Sequence, residues 1–289
     1  MSTRRVKAES FKRRALAAVM AVDRVFIRRE LFVTLAAVLM VSGLVFAQRP
    51  AKRDAASKER TIVGETESLG AGTARSWVRV DRNGNPTAVG VTLSEGALQE
   101  LPKEPPPGEE GIGISLGLPA QASRTAFKHI WLNFNPHGHP PAKIYDVAHF
   151  DFHFYMISDA EREAITATGD GAVKGNRQPP AEFVPEGYSF IPDSTVPRMG
   201  AHWVNPLSRE LHGQPFTTTF LFGSYDGRLI FAEPMITKSF IEAKTDVTEM
   251  IKLPKSYERR GVYYPTRYSV RYDAAAKEYT VALEGMTLR

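Results

Sequence analysis

The chain of 289 residues contains no cysteine. Disulfide bonds, zinc–thiolate sites and cysteine nucleophiles are therefore excluded, and so is lipid attachment through a cysteine. No internal repeat is evident. The sequence also lacks the G-x-G-x-x-G and Walker loops and shows no alternation of strands with helices. It therefore gives no support for nucleotide binding through those motifs.

The chain carries almost no excess charge once its first 47 residues are set aside. The whole sequence has a formal net charge of +5, and residues 1–47 hold nine basic and three acidic side chains, which leaves −1 for residues 48–289. A nearly neutral chain produces no long-range field that would attract a polyanion. We therefore expect no nucleic-acid partner.

One long apolar run is present, at residues 31–47, which read LFVTLAAVLMVSGLVFA. Arg28 and Arg29 precede it, and Val45-Phe46-Ala47 closes it with residues that signal peptidase accepts. This order predicts a signal peptide over residues 1–47, with Met20 as an alternative start. The protein is then periplasmic or secreted, and only its leader contacts the membrane. An uncleaved anchor stays open, although the run is at the short edge of the ~20 residues that span a bilayer.

The rest of the sequence is typical of a mainly β protein. Residues 48–74 are polar and lack a sustained period, so they predict a flexible linker. Residues 75–289 predict a single β-rich domain, an antiparallel sandwich or barrel with a few short helices. The predicted strands are 77–81 paired with 88–93, 125–134, 148–157, 199–204, 217–222 paired with 228–232, and 268–272 paired with 279–283. The predicted helices are 94–101 capped by Ser94, 159–168 capped by Asp159, and part of 237–252.

Histidine is absent from both ends of the chain and concentrated in its middle. All seven histidines lie between His129 and His212. The strand at 148–157 alternates strictly, with aromatic side chains on one face and His149, Asp151 and His153 on the other. Imidazoles and carboxylates are the ligands that zinc, iron, copper, nickel and manganese take in proteins. We therefore predict a site for a divalent transition metal whose identity the ligand types leave open.

The spacing along this strand limits which residues can share an ion. Positions two apart are separated by about 6.6 Å and positions four apart by about 13 Å. His149 and His153 therefore cannot bind one ion in a regular strand, whereas either of them can do so with Asp151. The remaining candidate ligands lie elsewhere in the chain and are His139, His202 and Glu233. Glu233 shares its strand face with apolar residues, and a buried carboxylate there needs a metal, a histidine or an arginine as its partner.

Three functions are compatible with this cluster. The protein could bind metal ions without catalysis, or it could be a metal-dependent enzyme with an open coordination position, assisted by Tyr155 or Tyr225. The same side chains could instead form a metal-free hydrogen-bond network in an envelope or assembly protein, including a homo-oligomer. His129, His137 and His212 are interpreted as ordinary polar residues, although His137 could be a further loop ligand.

Several motifs follow one another in a distinctive order. They are VRVDRNGNPTAVGVTLSEGAL at 78–98, GHPP at 138–141, HFDFHFY at 149–155, MGAHW at 199–203, YDG at 225–227 and EPM at 233–235. In this combination, which covers residues 75–289, the chain resembles an uncharacterised exported bacterial family labelled TTHB-like. The resemblance implies export and the presence of these histidines. It implies no activity and no assignment of ligands.

Overall fold

The structure is a computed structural model that describes residues 59–107, 109 and 111–289. The predicted signal peptide and the first part of the predicted linker lie outside the described residues. Within these residues, no helix has the length and apolar character needed to cross a membrane.

Strands make up most of the described part of the chain. In chain order they are β1 (Arg60–Leu69), β2 (Gly72–Val80), β3 (Pro86–Ser94), β4 (Ile112–Gly117), β5 (His129–Asn135), β6 (His149–Tyr155), β7 (Ser189–Phe190), β8 (Ala201–Val204), β9 (Thr218–Tyr225), β10 (Arg228–Thr237), β11 (Val247–Met250), β12 (Tyr263–Tyr264), β13 (Arg267–Asp273), β14 (Glu278–Glu284) and β15 (Thr287–Leu288). The α-helices are short: α1 (Asp159–Glu163), α2 (Asp170–Gly175) and α3 (Lys238–Glu242). Single 3₁₀ turns occur at Glu95–Leu98, Ala120–Arg124, Ala181–Phe183 and Arg209–His212.

These strands form two large sheets and one small one. The six-stranded sheet has the order β1-β2-β3-β14-β13-β11, the seven-stranded sheet has the order β4-β5-β6-β10-β9-β8-β7, and β12 pairs with β15. Neighbouring strands within each sheet are antiparallel. The predicted mainly β, antiparallel fold is confirmed. Of the two architectures, the described residues form a sandwich-like arrangement and no closed barrel, because both large sheets end in edge strands.

The two large sheets share one hydrophobic core. Val91 and Val281 of the six-stranded sheet belong to the same buried cluster as Leu132, Phe152 and Phe154 of the seven-stranded sheet. Burial of each such side chain stabilises the fold by about 1.5–3 kcal/mol. Because side chains alternate along a strand, the odd-numbered residues of β6 must point away from this core. They form the outer face of the seven-stranded sheet, which carries the predicted metal ligands.

The outer face is not exposed to solvent. Every residue of β6 is buried, including His149, Asp151 and His153. Aromatic rings from two connecting segments reach this face: Phe216 lies 5.5 Å from the His149 ring, and Tyr145 lies 5.0 Å from Phe216. The polar face of β6 is therefore covered by other parts of the chain.

The hairpin predictions hold because their turns carry residues that adopt a positive φ. The β9–β10 turn has φ of 52° at Asp226 and 78° at Gly227, as a two-residue type I′ turn requires. The sequence suggested a longer loop over 223–227, whereas residues 223–225 continue β9. The hairpins at 77–93 and 268–283 are also present as β2–β3 and β13–β14.

Several local predictions are wrong in extent. The linker predicted over 48–74 is incorrect from residue 60 onward, because β1 pairs with β2 there. β1 is an edge strand with a single buried residue, so its sequence has no apolar period. The strand predicted from residue 125 starts at His129. The segment at 237–252 contains α3 but then turns into β11.

Two predicted helix caps are also wrong. The helix at 159–163 is capped by Ser158, whose hydroxyl accepts from the Glu161 backbone while the Glu161 carboxylate accepts from the Ser158 backbone. This capping box replaces the predicted Asp159 cap and satisfies two backbone N–H groups. Ser94 precedes a 3₁₀ turn rather than a longer helix, and its hydroxyl accepts from the Thr73 backbone.

Candidate functional site

The sheet register explains how the candidate ligands meet. On one side of β6, Asn135 lies opposite His149 and Asn133 lies opposite Asp151. On the other side, β10 pairs Ala232 with Phe154 and Met235 with Asp151. This antiparallel register sets Glu233 opposite His153, so the buried carboxylate faces an imidazole on the neighbouring strand.

The six predicted site residues form two separate groups. The first triad consists of His139, His149 and Asp151, and the second triad consists of His153, His202 and Glu233; within each, one ligand atom per residue lies within 4.8 Å of the others. Asp151 therefore shares a site with His149, one of the two pairings that the strand spacing allowed. His153 lies in the other triad, where its carboxylate partner comes from β10. The single cluster expected from the sequence is thus a pair of adjacent sites that could each hold a metal ion.

The distances within the triads suit ligands around a common ion. In the first triad, Nε2 of His149 and Nε2 of His139 lie 3.1 and 3.7 Å from the Asp151 carboxylate oxygens. In the second, Nε2 of His153 and Nε2 of His202 lie 3.2 and 3.8 Å from the Glu233 oxygens. Ligands at about 2.1 Å from a tetrahedral ion are about 3.4 Å apart. A direct charge-assisted hydrogen bond would be shorter, about 2.7–2.9 Å.

Backbone carbonyls fix the imidazole orientation in the first triad. Nδ1 of His149 lies 2.7 Å from the Val147 carbonyl oxygen, and Nδ1 of His139 lies 2.8 Å from the Pro140 carbonyl oxygen. A carbonyl oxygen only accepts, so each Nδ1 must carry the proton. In the neutral ring Nε2 then presents a lone pair, which is the arrangement of metal-binding histidines with a carbonyl behind them.

The second triad contains buried polar atoms that lack hydrogen bonds. Among the described residues, no partner lies at hydrogen-bond geometry to either ring nitrogen of His153 or to Oε2 of Glu233. The Trp131 backbone carbonyl is near the His153 ring and favours protonation of that ring. Its position does not meet the geometry of a hydrogen bond. Each unsatisfied buried polar atom costs about 1–3 kcal/mol. A cation bound by Glu233 and by one ring nitrogen of His153 would remove part of that cost.

The two triads differ in charge when no cation is bound. Burial opposes ionisation of Asp151, but the imidazoles of His149 and His139 outweigh it and hold the pKa of the Asp151 carboxyl well below its usual value. Burial, reinforced by the negative charge of Asp151, raises the pKa of Glu233 well above its usual value. Burial also lowers the pKa of His153 to about 3 and that of His202 to about 4. Near neutral pH the Asp151 carboxyl is therefore ionised and the His153 and His202 rings are uncharged, whereas burial opposes ionisation of Glu233.

A glycine on β9 positions two ligands of the second triad. Gly223 lies between His202 and Phe231 in the sheet, paired with both. The Phe231 ring lies over Gly223, where an added Cβ would come within 2.0 Å of it. From there the ring contacts His153 edge-on at 4.8 Å and His202 at 5.5 Å between ring centroids. Phe231 thus packs against both imidazoles of the second triad.

Some residues next to the triads were not predicted from the sequence. The amide Nδ2 of Asn135 lies 2.6 Å from the Asp151 carboxylate and 3.3 Å from Nε2 of His149. Asn133 and Asn135 alternate with apolar residues in β5, which is a detectable signal once β5 is known to pair with β6. Arg162, 1% exposed, lies with its guanidinium 3.6 Å from the centre of the Trp131 ring.

Other candidates lie outside the triads. His137 is exposed beside Glu104, and Nε2 of His212 lies 2.9 Å from the Pro206 carbonyl oxygen. His129, interpreted as an ordinary polar residue, is buried and stacked on Tyr155. The Tyr155 hydroxyl donates to the Arg198 carbonyl at 2.9 Å, so it is engaged away from the ligands.

A serine pattern in β4 has no catalytic geometry. Residues 113–117 read GISLG, which matches G-x-S-x-G. A nucleophile elbow requires a sharp turn between a strand and a helix. These residues instead form regular β4, paired throughout with β5, so the serine is not presented as a nucleophile.

Comparison with known proteins gives a family match and no activity. No curated protein and no solved structure matches this chain. A family model matches only residues 81–134, from the β2–β3 turn to β5. This segment ends before HFDFHFY, so neither triad lies within it. Residues 81–134 match the model of the TTHB210-like family, described as hypothetical protein TTHB210, which confirms for that segment the resemblance that the sequence motifs indicated.

Proposed function

We propose that this protein binds divalent transition-metal ions through the two triads. The observation that carries the proposal is the second triad. Donors from β6, β8 and β10 converge there at separations of 3.2 and 3.8 Å, with buried nitrogen and oxygen atoms that have no hydrogen-bond partner among the described residues. Two imidazoles and one carboxylate are a common ligand set for zinc and for non-haem iron.

The main rival is a metal-free hydrogen-bond network. The first triad has some of that character, because the Asn135 amide donates to Asp151 and approaches His149. In a structural network, however, each buried donor faces an acceptor. The ring nitrogens of His153 and Oε2 of Glu233 have neighbours but no partner at hydrogen-bond geometry among the described residues, so the second triad favours a metal.

Element analysis of the full-length chain, expressed with zinc, iron, copper, nickel and manganese and then gel-filtered, tests the proposal. We expect at least one equivalent of a transition metal per chain, and a lower content in His153→Ala. His212→Ala is the matched control, because it removes a histidine outside both triads and should leave the metal content unchanged. Less than about a tenth of an equivalent in the folded wild-type protein would reject metal binding in favour of the network.

The proposed location is outside the cytoplasm. The support is the order of basic segment, apolar run and cleavage region in residues 1–47. Fractionation followed by N-terminal sequencing should find a chain that begins at Gln48 in the periplasm or medium. An intact N-terminus in the cytoplasmic fraction would reject export, and one in the membrane fraction would indicate an anchor.

Catalysis is the second candidate function, and the open coordination positions favour it. Each triad supplies three protein ligands, as catalytic zinc sites do, whereas structural sites use four. The side chains of His139 and His202 are 24% and 18% exposed, so solvent reaches the edge of each triad. Azide should therefore shift the visible spectrum of the cobalt-substituted protein. An unchanged spectrum would indicate closed sites and exclude catalysis at the metal.

A further inference from the structure

The two triads lie next to each other on the covered outer face of the seven-stranded sheet. Asp151 of the first triad and His153 of the second are two residues apart on the same face of β6, about 6.6 Å along the strand. Each triad has one partly exposed imidazole, His139 in the first and His202 in the second.

The ligands supply too little negative charge for two divalent ions. Asp151 and Glu233 provide one carboxylate each, and the histidines bind metal as neutral rings. Two divalent ions would therefore keep two positive charges that their protein ligands do not balance. A further buried carboxylate, Glu210, accepts a hydrogen bond from Tyr145, whose ring lies 5.8 Å from that of His139. It balances at most one of those charges.

The free coordination positions offer a way to balance the rest. Each ion has at least one position that the three protein ligands leave open. Because Asp151 and His153 lie about 6.6 Å apart along one strand, an anion with several oxygens could bridge two ions held there. Paired metal sites commonly hold oxygen ligands in this way.

Resting on the metal binding proposed above, we propose that the two triads form one two-ion centre that takes up an oxyanion, such as a phosphate or carboxylate group, across its open positions. The anion enters beside His139 and His202. We expect both ions to contribute to its affinity.

Equilibrium dialysis of labelled inorganic phosphate against the zinc-loaded full-length chain tests this inference, with labelled acetate in a parallel arm. Zinc content is measured on the same samples. We expect two zinc ions and about one phosphate per chain. After zinc is removed with a chelator, phosphate binding should disappear. Saturable phosphate binding would indicate a phosphate ligand, and acetate binding alone would indicate a carboxylate ligand.

Two matched variants each remove one metal ligand, one from the first triad and one from the second. His139→Ala and His202→Ala remove the partly exposed imidazole of either triad and therefore disturb the core least. Each should retain about one zinc ion and bind the oxyanion at least tenfold more weakly than the wild type, whereas His137→Ala should behave as the wild type. Circular dichroism verifies that each variant is folded, and His149→Gln and His153→Gln replace any that is not.

The possible failures are distinguishable. If the wild type takes up no zinc, the proposed metal binding itself is wrong. If it takes up two zinc ions but neither anion, or if a one-zinc variant binds the anion as tightly as the wild type, metal binding stands and the two-ion oxyanion site is wrong. Anion binding that persists after zinc is removed with the chelator would also overturn the two-ion oxyanion site.

Discussion

Replacing Gly223 with alanine should disable the second triad while leaving the first intact. The added Cβ would lie 2.0 Å from Cε1 of the Phe231 ring, whereas ordinary contact begins at 3.4 Å. The ring must therefore retreat by more than an ångström. Phe231 is fully buried and contacts both His153 and His202, so it cannot move without displacing them. Overpacking of this kind costs about 1–3 kcal/mol of unfolding free energy.

The effect on metal binding should exceed the effect on stability. Ligand constellations tolerate displacements of only about 0.5 Å. We therefore expect Gly223→Ala to fold, to unfold at lower urea concentration, and to bind one zinc ion instead of two. Urea unfolding monitored by tryptophan fluorescence gives the stability, and zinc titration followed by element analysis gives the stoichiometry.

Gly90→Ala is the matched control in the other sheet. Its Cβ would lie 2.3 Å from the ring of Trp77, a buried residue of the six-stranded sheet. It should lose a similar amount of stability yet keep both zinc ions. The reasoning would be refuted if Gly223→Ala bound two zinc ions with wild-type affinity, or if Gly90→Ala lost an ion as well.

Three further substitutions test individual contacts. Ser158→Ala removes the capping box shared with Glu161 and should cost about 1 kcal/mol in urea unfolding; an unchanged midpoint would contradict that role. Burial lowers the pKa of His129, so its contribution to stability is complete above the unfolded pKa of about 6.5 and is lost as the pH falls below it. His129→Phe should therefore weaken the loss of stability of the metal-free protein between pH 7 and 5, and an unaltered pH profile would refute this. Arg162→Lys should cost about 1–2 kcal/mol, since an ammonium group cannot stack on Trp131 as the guanidinium does; calorimetry showing no lower melting temperature would exclude that stacking term.

The strands were predictable where one face of a strand is buried against the core and its turns carry distinctive residues. β6 alternates strictly between aromatic and polar side chains, and the β9–β10 turn carries Asp226 and Gly227. β1 was missed because an exposed edge strand needs no apolar period. The cap of α1 was misplaced by one residue because Ser158 and Asp159 are both good capping residues, and only the backbone geometry distinguishes them.

The sequence by itself determined the ligand types and one geometric limit: residues four apart on a strand cannot share an ion, which separates His149 from His153. The tertiary structure decided that there are two triads and which residues form each. Glu233 faces His153 through the pairing of β10 with β6, and His202 arrives from β8, two strands farther across the sheet. Such contacts depend on strand order and register, which long-range packing selects among many pairings. The alternation of side chains along each strand is the same in all of these pairings, so the sequence pattern cannot show which pairing forms.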